Sequence, residues 1–285
     1  MCIRDSSRFT EDQKYDFRLV KGFSPDQADK EMARKALLFL GLNAIRLILF
    51  SLTINRSNAQ SLDNSNKDYH DGAKRFAAVK KKVTPHLEKV FEKRGLQWGS
   101  PIFIRVFKKE RQLELWVKQR ESFVLLNSYF IAGTSGELGP KLRQGDGQIP
   151  EGFYFVTPRQ MNRKSNFHLS FNIGYPNQYD RAYNRTGNLI MVHGSNVSAG
   201  CMAMTNDKIE EIYTLADAAF KGGQRFFRIH IFPFKMTDTA IQQNSDNSWH
   251  PFWKNLKIGY RIFEDTKLPP NVTVKDKTYH FENQD

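Results

Sequence analysis

PIFIRVFKKERQLELWVKQ, residues 101–119, is the stretch that decides the fold class of this chain. Apolar side chains occupy every second position in its two halves: Ile102, Ile104 and Val106, then Leu113, Leu115 and Val117. A period of two is typical of a half-buried β-strand. The polar segment Lys108–Arg111 separates the two runs. The stretch therefore predicts a β-hairpin.

Further strand-like runs follow this hairpin, at Phe123–Ala132, Gly152–Thr157, Phe167–Ile173, Asn188–His193 and Phe226–Phe232. Between the last two runs, residues 207–220 place apolar side chains at intervals of three and four. This spacing predicts a helix, which Thr205 or Asn206 can cap. The pattern as a whole predicts a mainly β fold with peripheral α-helices.

The segment before the hairpin, residues 72–99, is predicted to be helical, because apolar side chains from Phe76 to Phe91 recur at intervals of three and four. Thr84 can cap a second helix that begins at Pro85, and Gly95 can end that helix. We therefore expect an N-terminal helical segment made of two helices.

The predicted strands all fall within residues 100–236, which we interpret as the main domain. Residues 237–285 begin with the polar run TDTAIQQNSDNS and continue with several aromatic side chains. We expect them to form an aromatic-rich C-terminal appendage that packs on this domain. Residues 60–71 are polar and rich in turn formers, which predicts a linker.

A candidate export signal lies inside the chain, at residues 32–59, MARKALLFLGLNAIRLILFSLTINRSNA. Arg34 and Lys35 precede an apolar stretch, and the final SNA offers the small residues that a signal peptidase reads. We expect residues 1–31 to be a non-native upstream extension and the mature chain to reside in the periplasm. An uncleaved signal would instead anchor the chain to the inner membrane.

A candidate catalytic pair follows one of the predicted strands. His193 ends the strand, and the small-residue loop Ser195–Gly200 leads to Cys201, one of two cysteines in the chain. A thiolate needs a neighbouring base or cation to form near neutral pH, and His and Cys can meet across such a turn. Gly200 leaves space beside the sulfur, and we expect the N–H groups of Gly200 and Cys201 to be free to hold an oxyanion. The alternative that Cys201 is a core residue and His193 a structural histidine remains open. A structural zinc site needs four ligands, and the sequence offers no further ones near this pair.

The motif HG-x3-S-x-GC-x2-M within residues 191–205, MVHGSNVSAGCMAMT, resembles the active-site signature of the L,D-transpeptidase (YkuD-type) catalytic domain family. HLSFNIGYPNQYDRA (168–182), SAGCMAMT (198–205) and WHPFWKNLKIGYRIFE (249–264) resemble its YafK-like branch. The resemblance runs from about residue 75 to 280. It implies a mixed β sandwich or barrel with peripheral helices.

The resemblance also implies roles for five residues. Cys201 is the nucleophile, which forms a thioester with the diaminopimelate carbonyl of peptidoglycan stem peptides. His193 is its base and acid, and the backbone carbonyl of Gly194 orients the His193 ring. Gly200 and Ser198 belong to the loop that binds the oxyanion. No metal or other cofactor is implied.

Two positions depart from the typical motif of the family, which has Ser-His-Gly-Cys and an Arg two residues after the Cys. Here these positions are Ala199 and Ala203, so the half of the reaction that uses an amine acceptor is in doubt. Besides an L,D-transpeptidase, the chain is compatible with a hydrolase that releases a lipoprotein from peptidoglycan, as the YafK-like branch implies. A non-catalytic wall-binding module is a third alternative.

Weaker candidates for substrate binding are Tyr175, Asp180 and Arg181, which lie in a loop-like stretch between strands. Loop polar residues also form turns, so a structural role remains open for them. His168 and His230 alternate with apolar residues and are expected to be structural.

The basic composition, with a formal net charge of +13, favours anionic partners through long-range attraction. Arg159, Arg163 and Lys164 form a basic cluster that is either solvated surface or a site for the carboxylates of stem peptides. We expect no nucleic-acid partner, because the sequence has no zinc knuckle, aromatic RNA-binding signature or basic zipper. The oligomeric state is not indicated.

Overall fold

The computed structural model of this protein describes Lys30 and residues 71–283. The predicted upstream extension apart from Lys30, the export signal and all but the last residue of the predicted linker lie outside the described residues. Within the described part of the chain, no helix combines the length and hydropathy needed to span a membrane.

Eleven strands are found among the described residues. In chain order they are β1 (Ile102–Phe107), β2 (Gln112–Gln119), β3 (Ser122–Phe130), β4 (Gly152–Val156), β5 (Met161–Asn162), β6 (Ser170–Asn172), β7 (Met191–His193), β8 (Met202–Ala203), β9 (Phe227–Phe232), β10 (Asn271–Lys275) and β11 (Thr278–Glu282). The α-helices are α1 (71–93), α2 (Gln178–Ala182), α3 (Asn206–Lys221), α4 (Asp238–Gln243) and α5 (His250–Thr266). A short 3₁₀ helix covers Pro158–Gln160.

A five-stranded sheet, which we call the framework sheet, has the order β3-β2-β1-β9-β4. The predicted hairpin is confirmed, since β1 and β2 pair antiparallel from Ile102↔Val117 to Phe107↔Gln112. β9 returns from far along the chain to pair parallel with β1 and antiparallel with β4.

A second sheet, which we call the site sheet, has the order β5-β6-β7-β8. Its strands are only two or three residues long. β7 and β8 run parallel, and an isolated bridge joins Ala203 of β8 to Gly133, which follows β3. This bridge ties the site sheet to the loop that leaves the framework sheet.

Both faces of the framework sheet are buried. Ile102, Ile104 and Val106 of β1 belong to a core cluster that also contains side chains of α1, α3 and the site sheet. The alternate residue Phe107 packs with Trp253 of α5 and Tyr279 of β11 in a separate cluster. The predicted mixed β architecture with peripheral helices is therefore confirmed, and the C-terminal residues cover the second face.

The helical segment before β1 differs from its prediction. Residues 71–93 form one continuous helix through Pro85, so the expected second helix capped by Thr84 is wrong. A proline inside a helix removes one backbone hydrogen bond. Here buried side chains on both sides of it, from Phe76 to Phe91, share one core cluster. The packing of that face outweighs the local cost of the proline.

Candidate active site

The parallel pairing of β7 and β8 places both residues of the predicted catalytic pair on one face of the site sheet. The register matches Val192 with Met202 and His193 with Ala203, which puts Cys201 opposite Met191, just before β8. Val192 and Met202 are fully buried in the main core. Because side chains alternate along a strand, His193 and Cys201 point to the other face of the sheet.

The ring of His193 is fixed by its own neighbour in the chain. Its Nδ1 lies 2.6 Å from the carbonyl oxygen of Gly194, the contact that the resemblance implies. A carbonyl oxygen only accepts hydrogen bonds, so Nδ1 carries the proton and Nε2 of the neutral ring is left as a base. Burial lowers the pKa of His193, and the Gly194 carbonyl opposes that shift in part. The Phe167 ring packs on His193 with a centroid separation of 4.7 Å.

Position 194 has room for glycine alone. A Cβ atom there would lie 2.6 Å from Oδ1 of Asn206 and 2.7 Å from the carbonyl oxygen of Phe167. The Gly194 N–H donates to the carbonyls of Phe167 and Leu169 at 3.0 and 3.1 Å. Close packing around Gly194 thereby holds the carbonyl that orients His193.

The sulfur of Cys201 is surrounded by backbone groups. The N–H of Met191 donates to Sγ at 3.4 Å, and the thiol donates to the carbonyl of Leu189 at 3.8 Å. Burial raises the pKa of the Cys201 thiol, while the Met191 N–H and the charge of Lys141 act in the opposite direction. Cys201 is therefore a protonated thiol at rest and needs a base to become a nucleophile.

The two N–H groups expected to be free for an oxyanion are engaged, so that expectation is wrong for this structure. The N–H of Cys201 donates to Oγ of Ser198 at 2.9 Å, and this hydroxyl donates to the Cys201 carbonyl at 2.6 Å. The N–H of Gly200 donates to Oγ of Ser135 at 2.6 Å. Gly200 has a φ of +91°, a backbone conformation that favours glycine.

The loop between β3 and β4, residues 131–151, borders the Cys201 loop and supplies residues that sequence reasoning missed. Ser135 reaches Gly200, and its hydroxyl donates to the carbonyl of Gly147 at 2.8 Å. Lys141 is buried and pairs with Asp146 at 2.5 Å. The contact between Ser135 and Gly200 joins residues 65 positions apart, for which the sequence has no local signal. Lys141 and Asp146 are five positions apart, but no local pattern predicts that this ion pair is buried.

The base of this loop is anchored by a buried ion pair. Nζ of Lys108 lies 2.9 Å from Oε1 of the fully buried Glu151, which also accepts the N–H of Gly139 at 2.7 Å. The indole N–H of Trp253 in α5 donates to Oε2 of Glu151 at 2.8 Å. The C-terminal residues thus help to hold the loop that borders the site.

The weaker sequence candidates lie in and around α2. Asp180 is fully buried, where it pairs with Arg185 at 2.8 Å and accepts the hydroxyl of Tyr154 at 2.9 Å. These contacts give Asp180 a structural role. Tyr175 is buried and donates to the carbonyl of Lys141 at 3.2 Å. Arg181 is exposed and bonds the carbonyl of Pro176.

The predicted basic cluster and the two histidines predicted to be structural, His168 and His230, lie outside the Cys201 loop. Arg163 pairs with Asp217 of α3 at 3.2 Å, and Arg159 is exposed on the 3₁₀ helix. His168 contacts Oε1 of Glu210 at 2.8 Å. His230 is buried against the rings of Phe103 and Phe153. Within residues 71–283, no group of three or more His, Cys, Asp or Glu side chains is arranged to hold a metal ion.

Comparisons with known proteins agree with the motif. Residues 101–231 match the model of the L,D-transpeptidase catalytic domain family, YkuD. YafK of Escherichia coli, provisionally named an L,D-transpeptidase, is 46% identical over 181 residues, which cover 64% of this chain and 74% of YafK.

Solved structures give weaker similarities. The helical cell shape determining protein Pgp2 of Campylobacter jejuni has a TM-score of 0.39 and 17% identity, over 63% of this chain and 75% of its own. Bd1075 of Bdellovibrio bacteriovorus has a TM-score of 0.34 and 19% identity, over 64% of this chain and 85% of its own.

Proposed function

We propose, from the premise that this chain belongs to the L,D-transpeptidase family, that it is a cysteine enzyme that cleaves peptidoglycan stem peptides through a thioester on Cys201. The observation that carries the proposal is the placement of Cys201 and His193 on one face of the site sheet, with Nδ1 of His193 bonded to the Gly194 carbonyl. That bond leaves Nε2 as the proton acceptor.

The reaction begins with transfer of the Cys201 thiol proton to Nε2 of His193. The thiolate attacks the diaminopimelate carbonyl, and a C–S bond forms as the carbonyl oxygen becomes an oxyanion. When the C–N bond breaks, the leaving amine takes the proton from His193. Because the N–H groups of Gly200 and Cys201 are engaged by serine hydroxyls, the substrate oxygen has to replace at least one of those contacts to be held there.

A second candidate, hydrolysis of the thioester by water, is favoured by the surroundings of Ala203. Ala203 is fully buried and bridged to Gly133. A Cβ added to Gly133 would lie 3.2 Å from the Cβ of Ala203. An arginine, which typical members of the family carry here, has no room in this packing. Without that arginine, water accepts the acyl group from the Cys201 thioester, and the product is a lipoprotein released from peptidoglycan.

The proposal includes a periplasmic location, where peptidoglycan is found. Its support is the sequence pattern of residues 32–59, which lie outside the described residues. Mass-spectrometric determination of the mature N-terminus tests this part: a terminus after residue 59 supports export and cleavage, and a terminus upstream of residue 32 contradicts it.

The function is tested by incubating the purified protein with lipoprotein-bearing sacculi and, separately, with tetrapeptide stems, and by identifying products by mass spectrometry. New cross-links or exchanged terminal D-amino acids indicate transfer, and free lipoprotein indicates hydrolysis. We expect Cys201→Ala to abolish either product. Cys2→Ala, made in the full chain, is the matched control, because it removes the other cysteine. Full activity of Cys201→Ala would overturn the proposal.

A further inference from the structure

The buried Lys141 lies in the wall of the Cys201 site. Its side chain is only 4% exposed, and its Nζ contacts Oδ1 of Asp146 at 2.5 Å and the carbonyl of Arg143 at 2.9 Å. A Cβ on Gly187 would lie 3.0 Å from Cε of Lys141. Two residues further on, Leu189 provides the carbonyl that accepts the Cys201 thiol. One side of Lys141 therefore packs on the segment that borders the sulfur.

Asp146, the partner of Lys141, is bonded to the backbone of Gln148, which packs on Gly200 next to Cys201. Oδ2 of Asp146 accepts the N–H groups of Leu142 and Arg143, and Oδ1 accepts the N–H of Gln148 at 3.1 Å. The backbone of Gln148 packs on Gly200, with its oxygen 3.4 Å from where a Cβ would be. The ion pair is thus held between the two segments that flank Cys201.

A charge in this position affects the acidity of the thiol. The other charged or titratable groups on the surrounding segments are the exposed Arg143 and Glu137, Arg185, His193 on β7, and Asp207 at the start of α3. His193 is held neutral at rest by burial, which lowers its pKa. Of the two buried cations on these segments, Arg185 is paired with Asp180, and Lys141 is the one whose charge acts on the Cys201 thiol.

We propose that Lys141 is a positioning residue for the reaction: its ammonium group stabilises the Cys201 thiolate through space, and Asp146 both fixes the ammonium and limits its effect. The inference rests on the proposed role of Cys201 as nucleophile. An opposite charge near an ionisable group favours its charged form. Burial alone raises the pKa of Cys201, and Lys141 opposes that shift.

Tyr175 gains a role from this arrangement. Its hydroxyl donates to the Lys141 carbonyl at 3.2 Å, and its ring centroid lies 5.9 Å from Nζ of Lys141. Tyr175 therefore supports the backbone and the charge of Lys141.

The test is the pH dependence of Cys201 alkylation by iodoacetamide, measured on the folded full chain in a Cys2→Ala background. Lys141→Met removes the cation, and we expect the midpoint of the alkylation rate to rise by on the order of 0.5–1 pH unit. Asp146→Asn leaves the ammonium without its counter-charge, and we expect the midpoint to fall. Both variants break the same ion pair, so a merely structural role would move both midpoints in the same direction.

Lys108→Met is the matched control, because it also removes a buried lysine that holds this loop. We expect its midpoint to equal that of the parent protein. Shifts of equal sign in Lys141→Met and Asp146→Asn, no shift in either, or an equal shift in Lys108→Met each overturn the inference. The alkylation assay needs no substrate, so its failure is separate from loss of the Cys201-dependent reaction on sacculi.

Discussion

The framework sheet and the site sheet are built in opposite ways. The framework sheet has strands of five to nine residues with a continuous ladder, interrupted by one irregularity between Leu115 and Trp116. The site sheet has strands of two or three residues. Left-handed residues do not distinguish the two sheets, since they occur at Ser195 beside the site sheet and at Arg111 and Arg120 in the turns of the framework sheet.

The two sheets also use polar side chains differently. In the framework sheet, Arg105 lies within 2.7 Å of Glu114, and both are buried. Around the site sheet, Ser135 and Ser198 bond backbone groups of the Cys201 loop, in addition to the Lys141–Asp146 ion pair beside it. Changes in the framework sheet should therefore affect stability, and changes in the site sheet should affect chemistry. Each of the following predictions tests that division.

The largest expected effect is on catalysis, in His193→Ala. Loss of a general base costs about 10²- to 10⁴-fold in rate, and we expect a decrease of that size in product formation from stem peptides. The melting temperature, measured by circular dichroism, should change little in comparison. Activity within tenfold of the parent protein would contradict the assignment of His193 as base.

A comparably large effect on stability is expected in Glu114→Gln of the framework sheet. Removing one partner of a buried ion pair costs about 3–5 kcal/mol, and retention of Glu264 as the second partner of Arg105 places this variant near the lower end. Urea denaturation measures the free energy of unfolding. The midpoint of Cys201 alkylation should stay unchanged, and a shift in it would break the proposed division between the sheets.

A smaller effect is expected in Ser198→Ala, which removes both hydrogen bonds of the serine hydroxyl to the Cys201 peptide group. Each bond contributes about 0.5–1.5 kcal/mol, so misplacement of the Cys201 backbone should outweigh the release of its N–H for the oxyanion and lower the rate about tenfold. Ser128→Ala, an exposed serine of β3, is the control and should retain full activity. Equal rates in the two variants would show that Ser198 does not shape the site.

The smallest effect is a pH dependence of stability that comes from His230. Burial, reinforced by the charges of Arg228 and Arg105, holds the pKa of His230 well below its usual value. The unfolded chain takes up a proton below about pH 6.5 while the folded chain does not. The contribution of neutral His230 to the free energy of unfolding is therefore fully present above about pH 6.5. As the pH falls below that value, it decreases by up to about 1.4 kcal/mol per pH unit.

His230→Leu should remove this part of the pH dependence. Thermal unfolding between pH 5 and pH 7.5 compares the variant with the parent protein. His193 contributes in the same direction, since its pKa is also lowered, so the curve should flatten without becoming level. An unchanged slope in the variant would exclude His230 as a source.

The framework sheet could be predicted from the sequence much better than the site sheet. The hairpin β1–β2 and helix α3 follow from apolar periods that extend over many residues. β5 and β8, with two residues each, are too short to show a period. The single helix through Pro85 depended on tertiary packing that local propensity does not contain.

The candidate site could be predicted only in part, for a related reason. His193 and Cys201 are close in the chain, so the motif pointed to both. Ser135 contacts Gly200, 65 positions away, and the Lys141 carbonyl accepts the hydroxyl of Tyr175, 34 positions away, so the sequence has no local signal for either contact. The bond from the Gly200 N–H to Ser135 is such a contact, whereas the motif predicted that this N–H is free to hold an oxyanion.

The most direct measurement for the central claim is intact-protein mass spectrometry of the enzyme mixed with a stem tetrapeptide and quenched in acid within one turnover. We predict an acyl adduct that maps to Cys201, that hydroxylamine removes as expected for a thioester, and that accumulates without change of site in Asp146→Asn. Product formation with no adduct on Cys201, or with an adduct on another residue, would contradict the claim that Cys201 is the nucleophile.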